Sequence, residues 1–124
     1  MNQTASASDV PDEIADTEAL NRRIHPDFVR PDGSVSSQAF TDVELSVDRA
    51  AYWEVAQTLR GYDGYGVASL IALVARGLHQ EVVADKKPLN PAHALVKGKK
   101  TKSIARALAR SAAWVAGFGG GIPT

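Results

Sequence analysis

The chain has 124 residues, no cysteine, 44% hydrophobic and 23% charged residues, with fourteen basic side chains balanced by fourteen acidic ones. That length is one domain's worth, and no apolar run approaches the ~20 residues that cross a bilayer, so a membrane partner is not expected. Without cysteine there is no disulfide framework or thiolate metal site, and three histidines are thin material for zinc, so no metal or other cofactor is expected.

The zero net charge conceals a polarity along the chain. Residues 1–48 hold ten acidic residues and three arginines, whereas residues 49–124 hold four acidic and eleven basic ones. Residues 86–110 carry eight basic residues and no acid. Such a segment points to phosphate groups, nucleic acid or an acidic protein as partner. Residues 1–16 have no Lys, Arg or apolar h-region, which argues against secretory and mitochondrial leaders and makes the cytoplasm the expected location.

In chain order, residues 1–18 read as an acidic leader too poor in apolar side chains to offset the cost of ordering, and disorder is predicted. A single globular domain follows over 19–117, and the glycine-rich residues 118–124 form a flexible tail. Leu20, Ile24, Phe28 and Val29 interleave with Arg22, Arg23 and Arg30, while Pro26 and Pro31 prevent a long helix. Arg22 and Arg23 are expected to pair with Asp27, Asp32 or Asp42. Val43, Leu45 and Val47 alternate with polar residues, the pattern of a strand over 42–48. Asp48 then caps a helix over 49–60, in which Tyr52, Val55, Ala56 and Leu59 share one face.

Residues 67–78 fit a strand pair or a helix, and the flanking glycines favour strands. A further strand is predicted over 92–96. The Ala-rich segment 101–116 predicts a helix with Ile104, Leu108, Ala112 and Val115 on one face and Lys102, Arg106 and Arg110 opposite. The expected fold class is α+β: a small sheet of 42–48, 67–73 and 92–96, packed against two amphipathic helices, with the disordered leader before it.

Three groups of residues carry candidate chemistry. Lys97, Lys99, Lys100, Thr101 and Lys102 stand at a helix entrance, where free N–H groups favour an anion, and Arg106 and Arg110 extend the basic row. This is not a phosphate-binding Walker loop, since His93 stands where its first glycine belongs. A solvated, Lys-rich face is the competing reading. His25, Ser36 and His93 form the candidate catalytic set, with Asp48 as an accompanying carboxylate, because a histidine near a hydroxyl or carboxylate does base work at neutral pH. Histidines bonded to neighbouring backbone are the structural alternative. Trp53 lies on the flank of the 49–60 helix beside Arg60, where it would anchor a protein partner.

The segments RRIHPDF, VSSQAF, ELSVDR and NPAHALVKGKKTKSIAR resemble those of a recurrent set of small bacterial proteins of unknown function, over residues 20–115. The resemblance implies a bacterial origin and a stand-alone fold, and it carries no activity or site residues with it. The leading expectation is a non-enzymatic binding module whose basic C-terminal surface contacts phosphate groups, nucleic acid or an acidic protein. The alternatives are a small enzyme acting on a nucleotide or phosphorylated substrate, and an accessory or neutralising subunit from a bacterial operon.

Overall fold

The computed structural model describes residues 9–117. Among these, six strands form one antiparallel sheet: β1 (Ala19–Ile24), β2 (Glu44–Arg49), β3 (Gly66–Ile71), β4 (Glu81–Ala84), β5 (His93–Lys97) and β6 (Ala113–Ala116), ordered β4-β5-β2-β1-β3-β6. Helices α1 (Val55–Thr58), α2 (Ala72–Gly77) and α3 (Lys102–Ser111), with 3-10 turns at Pro26–Phe28 and Ser37–Phe40, complete an α+β fold.

The period-two pattern places Leu20 beside Leu70, Val47 beside Ala94 and Leu45 beside Val96, all buried on one sheet face. There they meet Leu108 of α3, Ala72 and Ala75 of α2, and Phe40 from the long β1–β2 connection. Truncating a residue as enclosed as Leu108 typically costs ~2–5 kcal/mol. No helix among the described residues is long and apolar enough to cross a membrane.

Several local expectations change in the tertiary setting. The predicted 49–60 helix is reduced to α1, capped by Glu54 and Gln57 rather than by Asp48. Asp48 stays in β2 because its carboxylate accepts from the Thr58 hydroxyl and the Asn90 amide, each at 2.8 Å. The 67–78 segment divides into β3 and α2, so both of its sequence patterns are realised in succession. The predicted 101–116 helix ends at Ser111, and residues 113–116 pair with the open edge of β3. Trp114 fixes that exit by donating Nε1–H to the Gly33 carbonyl at 2.9 Å. Residues 19–24, read only as non-helical, form the strand between β2 and β3, paired with β3 along its length and with β2 at Leu20 and Asn21.

The expectation of a disordered leader is corrected for residues 9–18, while residues 1–8 and the predicted tail 118–124 lie outside the described residues. Val10 and Ile14 are buried. Arg49, fully buried, holds Glu18 through two 2.8 Å bonds and also donates to the carbonyls of Pro11 and Glu13. Asp16 pairs with Arg76 at 2.6 Å and Asp12 with Lys86 at 3.1 Å. Composition missed this segment because its anchors are two aliphatic side chains and a buried cation 31 residues away in sequence from Glu18.

Candidate functional site

β1 and β2 pair only at Leu20↔Arg49 and Asn21↔Asp48. Beyond that point β1 remains zipped to β3 as far as Ile24↔Gly66, and β2 to β5 as far as Glu44↔Lys97. The sheet therefore parts into two three-stranded halves along the β1–β2 seam. A cleft of about 240 Å³ lies in the opening, lined by Asn21, Arg22 and Arg23 of β1, Ser46 and Asp48 of β2, His93 of β5, and His25, Tyr62 and Tyr65 from the loops.

Arg22 takes the place of the missing ladder. Its Nε donates to the Ala39 carbonyl at 2.7 Å and its Nη1 to the Ser46 carbonyl at 3.0 Å, with Asp42 at 3.4 Å. A side chain thus satisfies backbone acceptors that strand pairing would otherwise use. Burial pulls the Arg22 guanidinium below its ordinary value, partly offset by Asp42, and it remains a cation. Arg23 lies 3.9 Å over the Tyr62 ring and donates Nη1 to the Thr58 carbonyl at 3.2 Å, a cation–π contact that leaves other guanidinium nitrogens for a ligand. Tyr62 and Tyr65, and Tyr65 and His25, meet edge to face at 5.1 Å.

The two histidines are held in different states by their partners. His25 Nδ1 accepts the Asp27 backbone N–H at 2.9 Å, so the neutral ring carries its proton on Nε2. His93 Nδ1 faces the Asp85 carboxylate at 3.0 Å and its carbonyl at 3.3 Å, both acceptors, so the proton sits on Nδ1 and Nε2 keeps a lone pair. These tautomers follow from the partners. The Asp85 carboxyl is held below its ordinary value, first by a hydrogen bond from Lys87 and also by His93. Arg22 is paired with Asp42, so Arg23 is the lining cation with no carboxylate partner among the described residues. The cleft thus combines aromatic rings, cations, and a donor and an acceptor imidazole.

Of the catalytic set expected from sequence, His25 and His93 line this one cleft. Ser36 does not line it: its hydroxyl accepts the Gln38 N–H at 3.1 Å and caps a 3-10 turn. At the α3 entrance, Lys100 donates to the Val43, Val96 and Gly98 carbonyls at 3.1, 2.9 and 2.9 Å, and burial lowers its pKa. Thr101 caps α3 through Ile104 N–H, and Lys97 stands in register between Glu44 and Glu81. Gly98 is required by the fold, since at φ 148° a Cβ would lie 2.8 Å from Gln80 Oε1.

Lys99, Lys102, Arg106 and Arg110 are exposed. Arg106 and Arg110 share a groove of about 260 Å³ with Arg30, Ser34 and Ser37. Trp53 lines a hollow of about 390 Å³ with Gln57, Arg60 and Leu89, the last 90% exposed.

Sequence reasoning missed Arg22, Arg23, Tyr62 and Tyr65 as site residues. The signal within reach was YDGYG, two tyrosines bracketing a turn. RRIHPDF, VSSQAF, ELSVDR and NPAHAL each supply lining residues, through His25, Ala39, Asp48 and His93 among others. Protein-family models, curated proteins and solved structures contain no significant match to this chain.

Proposed function

We propose that the seam cleft binds a nucleotide, its base against the Tyr62 and Tyr65 rings and its phosphate toward Arg23. The observation that carries this reading is the convergence of His25 and His93, 68 positions apart in sequence, with two arginines and an aromatic wall in one opening. A ring-bearing anion matches both halves of that lining. Thermal unfolding with the common ribonucleoside monophosphates, and with inorganic phosphate alone, tests it. A native-state ligand raises the midpoint by mass action. The rise is expected with nucleotides, and is expected to be lost in Arg23→Ala and in Tyr65→Ala. No rise in the folded wild-type protein overturns the reading.

A second reading concerns the basic face of α3. Arg30, Arg106 and Arg110 line one groove and make no ion pair among the described residues, while Glu18, Asp16 and Asp12 of the leader are taken up by Arg49, Arg76 and Lys86. Arg106 and Arg110 stand about 6 Å apart along the helix axis, a spacing that suits successive phosphates of a single strand. Removing either arginine is expected to reduce the salt dependence of RNA binding by about 0.7 in the logarithmic slope. An unchanged slope, or binding of an acidic protein in place of RNA, removes this reading.

A further inference from the structure

We propose that the cleft cleaves RNA by transferring its phosphodiester to the neighbouring 2′-hydroxyl, with His93 as general base and His25 as general acid. This rests on the nucleotide reading of the cleft and goes beyond it, because binding alone needs no division of labour between the imidazoles. The hydrogen bonds set His93 as the base, and His25 becomes the acid once Nδ1 takes up a proton and releases the Asp27 N–H. His93 has Nδ1–H committed to Asp85, so Nε2 is the nitrogen that accepts a proton, and the Asp85 carboxylate at 3.0 Å stabilises the imidazolium that results. His25 carries a proton on Nε2, and its side chain is 42% exposed. When the ring is also protonated on Nδ1, the Asp27 carboxylate 3.6 Å away is its counter-charge. Each histidine thus has a carboxylate beside Nδ1 and no partner on Nε2 among the described residues.

In the step, His93 Nε2 removes the 2′-hydroxyl proton, and the 2′-oxygen forms a bond to phosphorus as the bond from phosphorus to the 5′-oxygen breaks. His25, as imidazolium, delivers its Nε2 proton to the departing 5′-oxygen. The products are a 2′,3′-cyclic phosphate and a 5′-hydroxyl end. Charge developing on the non-bridging oxygens faces Arg23, whose remaining guanidinium nitrogens are not used by Thr58. No oxidant, reductant or further reactant enters, and proton exchange with water restores both histidines. The substrate class is therefore RNA, and DNA, which lacks the attacking hydroxyl, binds without reacting.

The test uses the full chain in the presence of EDTA, with a short RNA of mixed sequence and DNA of the same sequence. Products are identified by mass spectrometry and binding is measured by fluorescence anisotropy. The wild-type protein is expected to produce 2′,3′-cyclic phosphate ends from RNA and nothing from DNA. His25→Asn and His93→Asn, purified alongside and shown to be folded by thermal unfolding, are each expected to slow cleavage by roughly 10²-fold or more. Asp85→Asn, which acts by positioning His93, is expected to lower kcat with KM unchanged. If His93→Asn fails to fold, His25→Asn alone carries the comparison, since the His25 ring is half-exposed. Binding without cleavage, or cleavage at the wild-type rate in either histidine variant, overturns the acid–base proposal and leaves the binding reading intact. Absence of nucleotide binding removes both.

Discussion

The two ends of the β1–β2 seam use the same residue types for opposite purposes. At the closed end, Arg49 is fully buried and its guanidinium meets the Glu18 carboxylate and two backbone carbonyls, with Tyr52 4.9 Å away. At the open end, Arg23 also stacks on a tyrosine, yet it donates to one carbonyl and lies beside two imidazoles with unpartnered nitrogens. A cation whose donors are all answered by the fold is a staple. One with donors to spare beside a cleft is placed for a ligand.

The largest expected effect of breaking this contrast lies at the closed end. Glu18→Gln leaves the Arg49 charge buried with carbonyl partners alone and is expected to cost about 3 kcal/mol, read from urea unfolding at neutral pH. Burial pushes the Glu18 carboxyl up, but bonds from Arg49 and the Ala15 N–H outweigh it and leave the pKa lowered. Its stabilisation is therefore complete above the ordinary carboxylate value and is lost as pH falls through the lowered folded-state value. The wild-type protein should show that acid loss, and Glu18→Gln should show less of it.

Next in size is a comparison within the basic segment. Lys100→Ala abandons three carbonyls and is expected to cost about 2 kcal/mol, whereas Lys102→Ala, on the exposed side of α3, should stay within about 0.5 kcal/mol. Equal effects would mean that the three lysine bonds contribute nothing. The smallest stability change is expected at the open end. His25→Asn should leave the unfolding midpoint within ~2 °C, the scale of a surface substitution. A large drop there would make His25 a structural residue and remove the contrast between the two ends.

Much of the fold was legible in the chain. The 42–48 alternation became β2, the 92–96 segment became β5, and the apolar row containing Ile104 and Leu108 became the packed side of α3. These are local periodicities, and they survive because burial of one face rewards them directly. The end of α3 was not legible. Ala113 and Val115 are acceptable in a helix, and only the open edge of β3 and the Gly33 carbonyl beneath Trp114 draw them out of it. The half of the site carried by His25 and His93 could be named from residue chemistry. Their meeting could not, because it depends on where two strands stop pairing.

Residue type and spacing, by themselves, determined the α+β class, the basic row along α3 and the histidines as the groups able to move protons near neutral pH. Tertiary structure alone decided that part of the acidic leader is packed onto the sheet, that Lys100 and Thr101 serve the backbone, and that an opening between β1 and β2 gathers arginine, tyrosine and histidine. Local pattern records which face of an element is apolar. Whether a charge is answered depends on which carbonyls and carboxylates the rest of the chain brings within about 3 Å of it, and that is a property of the assembled fold.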